Sequence, residues 1–213
     1  MNRSFHCFFF AGLTALLGTG GMADAQEDPA MTRLQALGTS LQTRSTWSAS
    51  YRQEYVSSGM SLGEVVDGRV WVSWPDKALF STGEPVIRWM GLAGRQVRLL
   101  DLESLTCDDH LLTAEEWERI PLVAVLEPRR AVAQFTILAQ GERGLVLVPR
   151  ELGGVSRVEI EIAADGLPAR VVVKDPQGSV STFDFVDWQA ADGPPEGNWL
   201  PLPPDGIECV ADS

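Results

Sequence analysis

Four adjacent residues, Cys107, Asp108, Asp109 and His110, contain the side-chain types that metal sites and nucleophilic active sites use. Their arrangement fits neither chemistry. His110 is the only histidine outside the N-terminal 25 residues, so a typical zinc site lacks a second imidazole. Neighbouring residues on an extended segment point alternately to opposite faces and cannot converge on one ion or substrate. We interpret the segment as a polar loop that leads into a helix.

The remaining sequence supplies no alternative reaction centre. It contains no phosphate-binding glycine loop and no His-Glu-x-x-His motif. The net charge of -12 argues against nucleic acid and anionic membrane surfaces as partners, because both select basic patches. We therefore expect a protein that is not an enzyme, needs no metal or cofactor and binds no nucleic acid.

The first 25 residues have the three-part layout of a secretory signal peptide. Arg3 provides the positive start, Phe8–Leu17 the apolar region, and small residues lead to a cleavage site before Gln26. The apolar run is shorter than the roughly 20 residues that a spanning helix needs. Cys7 precedes the small residues and no cysteine follows them closely, so a lipid anchor is not expected. These features predict export to the periplasm as an unanchored, monomeric protein with one domain over residues 26–213.

Export leaves two cysteines, Cys107 and Cys209. An oxidising compartment favours a disulfide between them. Two separate buried thiols remain the alternative, because the sequence does not show whether the two Cα atoms come within bridging distance.

The stretch from Val65 to Leu102 alternates apolar and polar residues between turns. Val70, Val72 and Trp74 occupy every second position, which is the period of a strand with two different faces. Pro75 interrupts this pattern, since proline cannot donate a hydrogen bond to a neighbouring strand. Glycine- and proline-containing turns separate two further apolar runs. We predict antiparallel strands that form an apolar receptacle here.

Two other regions have helical spacing. A helix over about 28–44 is predicted from apolar residues three and four positions apart. Thr113 and Glu116 match a capping box, and Pro121 is expected to disturb or restart the helix, which predicts one or two short helices before Pro128.

Strands are predicted over almost all of the chain beyond residue 131. The segments are 131–139, 144–149, 155–163, 169–174 and 179–188. The predicted fold is mainly β (α+β): a strongly curved, half-closed antiparallel barrel with the helices as a lid. Its interior is either a filled core or a lipid-sized cavity, and periodicity does not decide between them.

Several motifs resemble those of the periplasmic outer-membrane lipoprotein carriers of the LolA/LolB-like fold. The segments that carry the resemblance are Gly68–Pro75 (GRVWVSWP), Gly144–Pro149 (GLVLVP), the Asp165-Gly166 turn, Thr182–Phe185 and Trp199–Gly206 (WLPLPPDG). The resemblance implies an open barrel that binds lipoprotein acyl chains released at the inner membrane and delivers them to an outer-membrane acceptor. One position departs from the family pattern, because Trp74 occupies the place of an arginine associated with lid closure.

The resulting hypothesis is a soluble carrier of lipid acyl chains. The residues expected to line its cavity are Val70, Val72, Trp74, Phe80, Ile87, Trp89 and Leu99. Its expected partners are a lipoprotein or other lipid, an inner-membrane release machinery and an outer-membrane acceptor. The alternative is a non-transporting module of the same fold that senses lipid or a protein partner in envelope stress signalling.

Overall fold

The computed structural model describes residues 28–151 and 153–211. The expected signal peptide, residues 1–25, lies outside the described residues. Twelve strands form one sheet in the order β12-β6-β5-β4-β3-β2-β1-β11-β10-β9-β8-β7. Every pairing is antiparallel except that of β12 with β6. The predicted mainly β, antiparallel architecture is confirmed, and no hydrogen-bonded pairing among the described strands closes the sheet into a barrel.

The helices are α1 Pro29–Gln42, α2 Ala114–Glu118, α3 Pro121–Leu126 and α4 Pro128–Gln134, and a 3-10 turn spans Pro195–Gly197. The first six strands are β1 Thr46–Val56, β2 Glu64–Ser73, β3 Lys77–Thr82, β4 Arg88–Ala93, β5 Gln96–Asp101 and β6 Thr106–Leu111. The last six are β7 Phe135–Gln140, β8 Gly144–Pro149, β9 Arg157–Ile162, β10 Pro168–Lys174, β11 Val180–Ala190 and β12 Cys209–Ala211.

Local sequence signals explain where the helices start. Asp28 caps α1 by accepting a hydrogen bond from the Ala30 amide at 2.9 Å. The Thr113–Glu116 capping box forms as predicted. Pro121 opens α3, as a proline at a first helical position can.

Three predictions about the central region are wrong in detail. The insertion contains three short helices, not one or two. Residues 128–134 are helical, so the strand expected from residue 131 begins only at Phe135. The segment 107–110 is not a loop but part of β6, which lies between β5 and β12. Helix α4 packs against α1 and α3, and this tertiary contact favours a helix in a segment whose own pattern is ambiguous.

One face of the sheet, here called the cavity face, carries most of the apolar side chains of the strands, including Val70, Phe80 and Met90. The helices pack mainly against the part of it formed by β7 to β10, with Trp47 of β1 and Trp188 of β11 beside them. There Leu34 and Leu37 of α1 pack with Phe135, Leu147 and Val158, all of which are almost fully buried. Towards β1 and β2, Leu122 of α3 packs against a second, smaller core cluster that includes Tyr51 and Val70.

The C-terminal segment crosses the opposite face of the sheet, here called the outer face. Gly91 permits the crossing, since a Cβ there would lie 2.3 Å from the Trp199 carbonyl oxygen. Arg98 donates a hydrogen bond to the Pro201 carbonyl oxygen at 3.3 Å. The chain then forms β12 beside β6, where Cys107 and Cys209 are joined in a disulfide. The segment is therefore held covalently to a strand far away in sequence.

Candidate functional site

A cavity of about 530 Å³ lies between the cavity face and helix α3. Its lining is apolar apart from the Ser181 hydroxyl. The lining side chains from α1 and α3 and the segments beside them are Leu41, Ile120, Pro121, Leu122 and Val125. Those from the strands and their connections are Val70, Val72, Ala78, Phe80, Met90, Leu92, Val97, Val155, Pro168, Val171, Val173, Ser181, Phe183, Phe185 and Trp188. The alternation of apolar residues in the sequence is compatible with either a filled core or a cavity. The structure contains a cavity.

An aromatic cluster supports the middle of the cavity. The Tyr51 ring makes edge contacts with Phe80 and Phe183 at centroid distances of 6.0 and 5.8 Å. Its hydroxyl donates to the Ser81 carbonyl oxygen at 3.0 Å and lies 2.8 Å from the Thr82 hydroxyl oxygen. Burial raises the pKa of Tyr51 above its ordinary value, so the hydroxyl stays protonated and keeps this donor. The tyrosine thus fixes the aromatic side chains against β3.

Gly68 makes room for this tyrosine. A Cβ at Gly68 would lie 2.2 Å from the Ser81 carbonyl oxygen and 2.5 Å from the Tyr51 ring. We expect Gly68→Ala to lower the free energy of unfolding by about 1–3 kcal/mol, because backbone and ring must both move. Urea denaturation measures the change. The control is Gly153→Ala, where a Cβ meets no atom within 4 Å; an equal effect in both variants would contradict the packing argument.

Three of the seven residues expected in the lining are found there: Val70, Val72 and Phe80. Leu99 lies on the cavity face opposite Met90, but the residue is 44% exposed and is not part of the lining. It lies where the sheet extends past the helices.

The other three expected residues lie elsewhere. Trp74 follows the end of β2 at Ser73 and belongs to the turn before β3, because Pro75 cannot continue the strand. Trp89 is on the outer face, where its ring stacks on Trp71 at a centroid distance of 6.4 Å. Ile87 precedes β4 and packs near Gly83 of the preceding turn. The expectation that they line the cavity is corrected accordingly.

Eight of the twenty lining residues come from the C-terminal part of the chain, from Val155 to Trp188, and none of them was predicted to line the cavity. Val171, Val173, Phe183 and Phe185 lie at alternate positions of β10 and β11, and this period was visible in the sequence. The sequence does not show that β11 pairs with β1. This pairing brings β10 and β11 into the same sheet as β2 and β3, so that all four strands face one cavity.

Exposure along β4 shows where the cavity opens. Leu92 is 8% exposed, Met90 is 41% exposed, and the Arg88 side chain is 56% exposed. These three residues share the cavity face because alternate residues of a strand point the same way. The cavity is therefore closed near Leu92 and open towards Arg88.

Asp101 holds Arg88 at this opening. Its Oδ2 atom accepts hydrogen bonds from Arg88 Nε and Nη2 at 3.1 and 3.0 Å. Its Oδ1 atom accepts from the Ser104 and Glu103 amides at 2.9 and 3.0 Å. The Ser104 amide above all, and also Arg88, lower the pKa of Asp101 to about 2.

This pKa predicts an acid-sensitive contribution to stability. A carboxyl group whose pKa is lower in the folded than in the unfolded protein stabilises the fold above about pH 4, and the contribution is lost as the pH falls towards 2. We expect the stability of the wild type to fall more steeply over this range than that of Asp101→Asn. Denaturant titrations at several pH values test this, and parallel curves would contradict it.

Within the described ranges, no group of three His, Cys, Asp or Glu side chains could hold a metal ion. A Gly-x-Ser-x-Gly motif does occur once, at Gly59–Gly63, but it forms the turn between β1 and β2, not the strand-to-helix elbow of a hydrolase. Its serine is also four strands away in the sheet from His110.

The family comparison agrees with this geometry. The family model "Outer membrane lipoprotein carrier protein LolA" matches residues 42–197. This chain belongs to the LolA family. The resemblance based on the strand and turn motifs is thereby confirmed, and the LolA-like fold is a carrier fold, not a catalytic one. A search of curated protein sequences finds no significant match.

A solved structure shows the same fold at low sequence identity. This uncharacterized conserved protein from Thermus thermophilus is 14% identical, with a TM-score of 0.51 over 86% of this chain and 99% of that chain. Two other structures have lower TM-scores. A LolA superfamily protein from Nitrosomonas europaea is 9% identical, with a TM-score of 0.44 over 78% and 96%. MucB in the Pseudomonas aeruginosa MucA/MucB complex matches with 15% identity and a TM-score of 0.45 over 78% and 59%.

The matched range of the LolA family includes every residue that lines the cavity except Leu41, which lies immediately before it. None of the helices in residues 28–151 and 153–211 is long and apolar enough to cross a membrane.

Proposed function

We propose that this LolA-family protein is a periplasmic carrier that binds lipid acyl chains in the cavity between the sheet and α3. The observation that carries the proposal is the nearly uninterrupted apolar lining of a cavity of about 530 Å³. A dry groove of this kind favours hydrocarbon, since each buried methylene contributes about 0.8 kcal/mol.

The volume sets the size of the cargo. An apolar protein cavity of about 150 Å³ holds benzene, which corresponds to about 25 Å³ per carbon. On this scale about 530 Å³ accommodates about 20 carbons. We therefore expect the cavity to hold one long acyl chain.

The position of α3 beside the cavity supports a role for it as a lid. Leu122 and Val125 of α3 line the cavity, and α3 is a six-residue helix that starts at a proline. Its removal from the sheet would open the cavity without breaking any strand pairing. We propose that cargo enters by displacement of α3, and that residues 26–213 act as a single carrier domain after export.

Transport between an inner-membrane release machinery and an outer-membrane acceptor is proposed from the family's name and the expected signal peptide. The net charge of -12 would keep such a carrier away from anionic membrane surfaces between the two docking steps.

Native mass spectrometry of the mature protein from its own periplasm, followed by organic extraction, tests the binding step. The expected result is one bound acyl species for each protein. A protein that is empty and takes up no added fatty acid would overturn the proposal and direct the search to a protein partner.

A further inference from the structure

Basic residues on the sheet are distributed unequally between its two faces. Pairing registers place Arg52, Arg69, Lys77, Arg98, Arg157, Arg170 and Lys174 on the outer face. Arg88 pairs with Thr82 and Asp101, and all three share the face that carries Phe80 and Met90. Among the described strand residues, Arg88 is the only arginine or lysine on the cavity face.

The position of Arg88 relates it to the cavity. It lies two residues before Met90, which lines the cavity, so the two side chains are about 7 Å apart along the strand. It is at the open end, whereas Leu92 closes the other end. An acyl chain with its methyl end near Leu92 would therefore bring its polar end to the guanidinium.

The Arg88 guanidinium is oriented by Asp101 and keeps donors that can bind an anion. Asp101 takes two of the five N–H donors of the guanidinium, and both go to one carboxylate oxygen. Asp101 is itself fixed by the Glu103 and Ser104 amides. The remaining donors can form a charge-assisted pair with a carboxylate or phosphate.

We propose that Arg88 binds the anionic headgroup of a single-chain amphiphile whose acyl chain occupies the cavity. Asp101 is a positioning residue that orients the guanidinium towards the opening. This inference rests on the proposed acyl-chain function and adds selectivity: the site prefers a carboxylate or phosphate headgroup to a neutral headgroup of equal chain length.

Displacement of a neutral fluorescent probe from the mature protein by dodecanoate, dodecyl phosphate and dodecanol tests the inference. We expect the two anions to bind about 10- to 100-fold more tightly than the alcohol, the usual range for a hydrogen bond to a charged group. Arg88→Gln should remove this preference. The ratio between dodecanoate and dodecyl phosphate identifies which anion the site favours, and inorganic phosphate alone should not displace the probe.

The matched control is Arg170→Gln, which removes a cross-strand arginine–aspartate pair from the outer face, where Arg170 Nε lies 2.9 Å from Asp184 Oδ1. The Arg170 side chain is 51% exposed, close to the 56% of Arg88. This variant should retain the anion preference. Equal affinities of the wild type for dodecanoate and dodecanol, or a preference that survives Arg88→Gln, would overturn the headgroup inference and leave the carrier function intact. Failure of all three amphiphiles to displace the probe, or of the probe to bind, would overturn both.

Discussion

Replacement of both cysteines by alanine is expected to lower the free energy of unfolding by about 2–5 kcal/mol. The bond between Cys107 and Cys209 closes a loop with a sequence separation of 102 residues, and long loops gain most from closure. It also holds the C-terminal segment that crosses the outer face at Gly91. Without the bond, β12 is a three-residue edge strand attached only by its hydrogen bonds to β6.

Guanidinium chloride denaturation of the wild type, the reduced wild type and the double alanine variant measures this effect. The reduced protein and the variant should agree, since both lack the same constraint. Single alanine variants should be no more stable than the double variant. A loss below about 1 kcal/mol would show that the packing of the segment, not its covalent attachment, holds it in place.

Substitution of Ser181 by tryptophan is expected to shorten the acyl chain that the protein can hold. Ser181 is the one hydroxyl-bearing residue in the lining and faces Val173 and Tyr55 on the neighbouring strands. At about 25 Å³ for each non-hydrogen atom, the ten such atoms of a tryptophan side chain would fill about half of the cavity of about 530 Å³. The capacity should fall from about 20 carbons to about 10.

Affinities for octanoate and hexadecanoate test this substitution. Hexadecanoate should bind more than tenfold more weakly, because several methylenes at about 0.8 kcal/mol each return to water, and octanoate should change little. Thr182→Trp is the matched control, since Thr182 points to the other face of the same strand. Equal losses in the two variants, or hexadecanoate binding unaffected by Ser181→Trp, would contradict the assignment of the cavity as the acyl site.

Local sequence accounts for much of the architecture. The alternation at Val70 and Val72 identified both the strand and its inward face, because a period of two is a property of any regular strand. The Thr113–Glu116 capping box located the start of a helix. The two side chains that satisfy the free amides, Thr113 and Glu116, lie within four consecutive residues, so the motif is visible in the local sequence. The family resemblance also rested on short segments, and the family match over residues 42–197 agrees with it.

Predictions about the cavity itself failed where strand ends and pairings decide the outcome. Trp74 continues the alternation in sequence but falls in a turn, because the strand ends one residue earlier. Trp89 and Met90 are neighbouring apolar residues, and either could face the cavity. The strand pairing decides between them: Met90 lies opposite Phe80 on the cavity face, and Trp89 lies opposite Ser81 on the outer face. The C-terminal segment covers part of the outer face, where its residue Trp199 lies against Gly91.

Residue types and their spacing were sufficient to predict an antiparallel sheet with one largely apolar face and short helices. The packing of the folded chain was needed to show that the helices cover only part of that face, which leaves a cavity instead of a filled core. It was also needed to place Arg88 on the cavity face. Periodicity records which residues share a face, whereas the volume and charge in front of that face depend on which distant segments pack there.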